Sequence, residues 1–300
     1  MESEYIDTLP TPIKIDTHKP ILLIDASYFI FYRYYCIVNW WNKQGNTIPD
    51  NGLMSNPEFA AKYEKMFEQC LRNLVKVYDV PWENVVFAKD CPRESIWRFQ
   101  YYTEYKGTRD DNRLDNFDRT VFIRTFTEVL PRLGCQVLSH RCLEADDIVA
   151  ILTRNLATMN PDNLIVIITN DNDYVQLLDE TKNIIVVNLQ GKQLRERIEI
   201  EDKSKYIIYK TITGDKSDNI PSIAKKCGPK TALKMAEDPS ELEALFRKNH
   251  DAKTQFELNS LLMNFDKIPK EYTDQVLEFL IATWRRKIWN PYKNKKLYIL

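Results

Sequence analysis

The sequence is poor in soft metal ligands and in cross-linking residues. Its 300 residues hold three His and six Cys, and the cysteines at 36, 70, 91, 135, 142 and 227 form no Cys-x-x-Cys pair. Neither a zinc site nor a disulfide framework fits that scatter. Long apolar runs are missing as well. None approaches the roughly 18 residues that cross a bilayer, and Met1 to Pro20 has no apolar h-region, so the chain reads as soluble, intracellular and not secreted, with no membrane partner. Charge of one sign is also lacking: 42 Lys and Arg against 43 Asp and Glu leave a formal net charge of -1, which rules out a global basic footprint. No internal repeat and no low-complexity stretch is present. What remains is 44% hydrophobic and 28% charged, the composition of a folded globular chain large enough to bury a core.

The first 20 residues hold three prolines and no periodicity, and read as an extended lead-in. Short apolar runs then recur at 21–24, 85–88, 136–138 and 164–168. Such runs suit strands buried on both faces. Between them lie segments of helical period at 57–78, 116–133 and 144–157. Strands alternating with helices predict an α/β domain over 21–190 with a mainly parallel central sheet flanked by helices. After Leu189 helical patterns take over, in 202–212, 230–237, 239–248, 252–264 and 270–283, so 191–300 reads as a helical subdomain with a basic tail. In that tail Arg285, Arg286, Lys287, Lys293, Lys295 and Lys296 follow the last acid, Glu278. It suits a polyanion, and equally a solvated terminus.

The acids fall at informative places. Asp25, Asp90 and Asp171 stand at or just beyond the ends of apolar runs, where an open parallel sheet forms its ligand crevice. Glu144, Asp146 and Asp147 open a helix, and Asp173 follows Asp171 by two. Any one of them is explained equally well as a turn or helix cap. The joint pattern points further. At about 4 Å and an effective dielectric near 20, each like-charged pair repels by roughly 4 kcal/mol. A converged cluster therefore needs cations, and an all-oxygen donor set favours Mg²⁺ or Mn²⁺. Two such ions would suit phosphodiester hydrolysis.

Two further segments offer contacts to phosphate. Thr213-Gly-Asp-Lys-Ser-Asp-Asn-Ile-Pro221 and Gly228-Pro-Lys-Thr-Ala232 join two helical stretches, adding the acids Asp215 and Asp218 and the cations Lys225, Lys226 and Lys230. A helix start beside lysines suits a phosphate backbone, and an ordinary helix–turn–helix corner is the plainer alternative. Residues 93–109 mix cations with Trp97, Phe99, Tyr101, Tyr102 and Tyr105, which suits single-stranded nucleic acid or a salt-bridged helix with a partly buried aromatic side.

Taken together, Ile24-Asp25-Ala-Ser27, Glu144-Ala-Asp-Asp147, Asn170-Asp-Asn-Asp173 and Gly214-Asp-Lys-Ser-Asp-Asn-Ile-Pro221 resemble the flap endonuclease and 5′-3′ exonuclease family, closest to phage-type members such as phage ribonuclease H. The resemblance spans about 21–283. It implies a PIN-like 5′-nuclease fold and a Mg²⁺-dependent, structure-specific nuclease acting on branched or 5′-ended DNA, including RNA-DNA primers, in replication or repair. One ion would be held by Asp25, Asp90, Glu144 and Asp146, the other by Asp171, Asp173, Asp215 and Asp218 with support from Asp147. Lys106 and Arg109 would contact the scissile phosphate at the foot of a helical arch spanning about 93–125, with Tyr105 contacting the DNA beside them. Residues 213–232 resemble the family's helix–two-turn–helix, which implies DNA contacts from Lys225, Lys226, Gly228, Lys230 and Thr231 and a K⁺ site.

Three departures stand out. The family's Gly-x-Gly-Pro-Lys reads Lys226-Cys-Gly-Pro-Lys230 here, without the first glycine that the K⁺ site uses. A family arginine expected seven residues after Asp25, where Tyr32 stands, is found at eight as Arg33, which the resemblance carries over as a catalytic residue. No clamp-binding box is present, so neither a sliding clamp nor a single-strand-binding protein is legible as partner, and a monomer is expected. A PIN-type ribonuclease and an inactive DNA-binding module are the competing readings.

Overall fold

The computed structural model describes residues 13–47, 49, 52–108, 117–178, 183–200 and 202–288, with side chains as far as 280. Arg109, most of the N-terminal lead-in and the tail beyond 288 lie outside the described residues. Five strands form one sheet: β1 (Ile21–Asp25), β2 (Val85–Lys89), β3 (Gln136–Ser139), β4 (Ile165–Ile168) and β5 (Ile184–Val187). All four pairings are parallel and the order is β3-β2-β1-β4-β5. The edge strand β5 is an addition to the runs singled out in the sequence. The chain reverses its direction of travel across the sheet between β1 and β4, which opens a crevice above their carboxyl ends.

Helices cover both faces, and β1 shows why its residues are all apolar. Leu22 and Ile24 face one core with Phe29, Phe67 and Phe87. Ile21 and Leu23 point the other way, to Ile148, Val149 and Ile167, because successive side chains alternate across a strand. Each such residue, fully buried, is worth about 1.5–3 kcal/mol of transfer free energy. The first face is closed by α1 (Ala26–Lys43), α2 (Pro57–Val77), α3 (Thr120–Arg124) and α4 (Leu130–Leu133). α2 starts where Asn56 caps its first N–H groups and Pro57 fills the first turn, a position that needs no donor. A π turn, Thr125–Val129, links α3 to α4 ahead of Pro131, whose missing N–H breaks the ordinary ladder.

The second face is closed by α5 (Ala145–Met159), and α6 (Lys203–Thr213), α7 (Pro229–Glu237), α8 (Pro239–Lys248), α9 (His250–Met263) and α10 (Lys270–Ile288) complete the chain. Ile212, Ile223, Cys227, Ala232 and Leu242 make a small core between the later helices. Tyr206, Phe265 and Val276 instead join the core of the sheet, so the helical third is docked on the α/β layer. Among the described residues no helix is long and apolar enough to cross a membrane.

Candidate metal centre

The strand ends deliver the expected carboxylates to one place. Asp25 ends β1 and caps α1, accepting from the Tyr28 N–H at 3.0 Å, while Thr169, just after β4, donates to its other oxygen at 3.4 Å. Asp90, one residue past β2, accepts from Ser27 Oγ at 2.5 Å and from the Ala145 N–H at 2.8 Å, which ties three elements together. Glu144 and Asp147 form a reciprocal capping box at the start of α5. Asp171 caps the 3-10 turn Asn172–Leu177 through the Asp173 N–H at 2.8 Å. From the helical side, Lys210 Nζ lies 2.9 Å from both Asp173 and Asp215, and Tyr105 Oη donates to Glu144 at 2.9 Å and to Asp218 at 3.1 Å. Eight acids from five separate stretches of chain thus line one crevice with Asp147 behind Glu144, and the ligand atoms of Glu144, Asp146 and Asp147 lie within 4.8 Å of one another.

The electrostatics divide the cluster. Burial pushes Asp25 up to about 7, with Asp90 and then Asp171 adding to the rise. Burial, then Asp147 and Glu144, hold Asp146 well above the usual carboxylate range. Asp171 opens to water at the mouth but is ringed by protein, and that crowding, followed by Asp173, pushes it up to about 6. Glu144 behaves oppositely. Burial alone would raise it, yet Lys106 and Arg98 hold it below the usual range. Asp215 is likewise raised by burial and lowered further by Lys210 and Ser217.

At the floor of the crevice, Tyr174 is fully buried and its hydroxyl has no hydrogen-bond partner among the described residues. Burial and then the charges of Asp25, Asp146, Asp171 and Asp90 push it up. A phenol left unsatisfied among four carboxylates marks a space for something that binds oxygen. The donor set is all oxygen, so the residues present fit hard divalent cations.

Asp147, expected as support for the second ion, directs one oxygen to Arg98 Nη2 at 2.7 Å and the other to Arg98 Nη1 at 2.8 Å and Trp97 Nε1 at 3.0 Å; it stands behind Glu144 on the other side of the cluster. Lys106 contacts Glu144 and stands 4.0 Å from Asp218. Its backbone is left-handed at φ 56°, its N–H donates to the Asp218 carbonyl at 2.8 Å and its own carbonyl accepts from Arg93 at 2.6 Å.

Two expectations need correction. Tyr105 is 3% exposed and spends its hydroxyl on two carboxylates, so it supports the site and offers no face to DNA. With Trp97 also buried, residues 93–105 fold as short 3-10 turns onto the core, and of their aromatic rings Tyr101 is the exposed one. Arg33 is not brought to the crevice. Seven residues carry a helix about 20° short of two full turns and eight about 80° past, so Tyr32 shares the Asp25 face with Tyr28, while Arg33 turns towards α2. There burial raises Tyr63 and Cys70 and the charge of Arg33 partly opposes it.

Lys225, Lys226, Gly228 and Lys230 are exposed around the start of α7, with Thr231 half-buried. Lys226, at the place of the missing glycine, keeps a left-handed φ of 70°, so the loop retains the backbone that glycine favours there. Sequence reasoning missed Lys210, Tyr174 and the structural use of Arg98. The first was legible in principle, as a cation on the last turn of the helix that leads into Asp215.

These residues sit within a recognisable frame. A family model described as 5′-3′ exonuclease, N-terminal resolvase-like domain, matches residues 20–207. The chain belongs to the 5′-3′ exonuclease family. Within the family it is 29% identical over 247 residues to DNA polymerase I of Deinococcus radiodurans, covering 81% of this chain and 23% of that protein. It is 26% identical over 234 residues to a 5′-3′ exonuclease of Buchnera aphidicola, covering 76% of this chain and 74% of that protein. The chain thus spans about a quarter of the DNA polymerase I relatives it matches. Among solved structures it shares its fold with T5 5′-exonuclease with divalent zinc ions bound, at a TM-score of 0.61 and 15% identity over 87% of this chain and all of that one. A variant T5 flap endonuclease in a pseudo-enzyme-product complex with DNA and metal ions matches at a TM-score of 0.59 and 16% identity, over 87% of this chain and 99% of that one.

Proposed function

We propose that the chain is a Mg²⁺-dependent, structure-specific 5′-nuclease that hydrolyses phosphodiesters in branched or 5′-ended DNA, including RNA-primed DNA, during replication or repair. The observation that carries this reading is the carboxylate crevice itself, with the raised Asp25, Asp146 and Asp171 grouped around the unpartnered Tyr174 hydroxyl. Asp25, Asp90, Glu144 and Asp146 would hold one divalent ion, and Asp171, Asp173, Asp215 and Asp218 a second. Bound there, such ions supply an acidified water and charge neutralisation at the leaving oxygen.

The chain's own groups orient the substrate. Lys106 stands at the edge of the cluster, its amine fixed by Glu144 and its backbone by Asp218 and Arg93, in a position to meet the scissile phosphate, with Arg109 assigned the same task. The exposed Lys225, Lys226 and Lys230 beside the free N–H groups of α7 would grip duplex backbone, an electrostatic contact without sequence preference. A K⁺ ion at that loop is part of the same proposal.

The direct test is a 5′-flap duplex and a folded single-stranded RNA, each incubated with and without Mg²⁺. Metal-dependent cutting of the flap near its junction is expected. Cutting of the RNA alone favours a PIN-type ribonuclease, and binding of the flap without cutting favours an inactive module.

A further inference from the structure

α9 carries none of the nine acids, yet its C-terminal half is bonded, directly or through Arg98, to segments that carry six of them. Asn259 is completely buried, and its Nδ2 donates to the carbonyl of Thr211 at 2.9 Å and of Pro221 at 2.8 Å, while Gln255 donates to its Oδ1 at 2.8 Å. Those two carbonyls flank the loop that presents Asp215 and Asp218. One turn on, the helix ends, and its last carbonyls have no partners within the helix. Arg98 Nε takes the Leu262 carbonyl at 2.7 Å, and the same guanidinium holds Glu144 and Asp147. Gln176 takes the Met263 carbonyl at 3.0 Å and accepts from the Phe265 N–H at 3.0 Å, and it lies in the 3-10 turn that begins beside Asp171 and contains Asp173.

We propose that the C-terminal half of α9 is the positioning element of the carboxylate crevice, with Asn259 as the residue that sets the 214–221 loop against the strand-end acids. The proposal rests on reading those acids as metal ligands. The helix works as a ruler: three polar side chains, each buried and each bonded to a main-chain group of α9 or to the loop, fix three groups of ligands to one rigid axis. Buried amides with both ends satisfied resist displacement strongly. A site assembled from distant segments needs such support, since ligands displaced by a few tenths of an ångström lose affinity for the ion. Asn259 touches no substrate and no ligand carboxylate, and is a positioning residue.

The experiment is a Mn²⁺ titration of the full chain without DNA, followed by the electron paramagnetic resonance signal of free Mn²⁺, on the parent and on Asn259→Leu. The variant should weaken one of two bound ions by about tenfold and leave the other within about twofold. In an Asp215→Asn/Asp218→Asn background, Asn259→Leu should add nothing, because both ligands of the loop it positions have already been lost. Should Asn259→Leu fail to give a cooperative thermal transition, Asn259→Ser, which keeps one donor, is read by the same criteria. Unchanged binding of both ions, or equal weakening of both, overturns the positioning role alone. A parent chain that binds no Mn²⁺ overturns the nuclease reading together with it.

Discussion

The carboxylates in the middle of the crevice and those at its two ends experience opposite fields. Asp25, Asp146 and Asp171 are crowded by protein and by neighbouring carboxylates, and all three are held above the ordinary carboxylate range. Glu144 at one end and Asp215 at the other are pulled below it, the first by Lys106 and Arg98 and the second by Lys210, in each case against the effect of burial. The chain therefore neutralises the flanks with its own lysines and leaves the centre uncompensated. The difference locates where an outside cation is worth most: between the two lysines, over the strand ends, within reach of the Tyr174 hydroxyl.

That contrast is open to direct attack. The largest effect is expected at the centre: Asp171→Asn should lower single-turnover cleavage of a 5′ flap in Mg²⁺ by at least about 100-fold while leaving flap affinity within about twofold. A variant that cuts at the parental rate places the working cation elsewhere. At one end, Lys210→Met should cost the metal-free protein roughly 2 kcal/mol, because Asp173 and Asp215 lose their shared cation, and saturating Mg²⁺ should recover most of it; thermal unfolding with and without metal checks this.

The pH response separates centre from flank. Asp25, Asp146 and Asp171 bind protons more tightly folded than unfolded, so metal-free stability should decline as pH rises from about 4 to 7. Mg²⁺ should flatten that decline, and a metal-free melting temperature that climbs over this window contradicts the assignment of the central acids. The smallest effect lies outside the crevice: Lys230→Ala should weaken duplex binding a few-fold for every sequence and lower the salt slope by about one.

Much of this site was legible because strand-end acids obey a simple geometry. Apolar runs of four or five residues suit strands covered on both faces, and acids within three residues of their ends emerge at the sheet edge, which makes Asp25, Asp90 and Asp171 legible. Glu144 and the Gly214 loop carry similarly local signals. Gly214 itself shows one: with φ 69° and the Ile220 carbonyl oxygen 2.3 Å from where a Cβ would sit, the turn into Asp215 admits no side chain. The misreadings arise where burial decides. Residues 93–105 suit a single-strand contact and a partly buried helix equally well in sequence, and only tertiary packing shows that Arg98 is clamped between Asp147 and the Leu262 carbonyl, 164 residues away. Arg33 failed for a rotational reason, since one extra residue turns a helix by about 100°. Asn259 acts across segments that no local pattern connects, and of the two contacts of Lys210 only the one to Asp215 is local.

The left-handed main chain at Lys106 sets the terms on which that position can be interrogated. Its amide and carbonyl are pinned independently of the amine, so exchanging the side chain leaves the scaffold standing, provided the newcomer tolerates the handedness. Glycine or asparagine there removes the ammonium, and with it the ion pair to Glu144, without straining the main chain, whereas valine adds a conformational penalty of its own. A substitution series that ignores this would credit to lost charge what belongs to a twisted backbone.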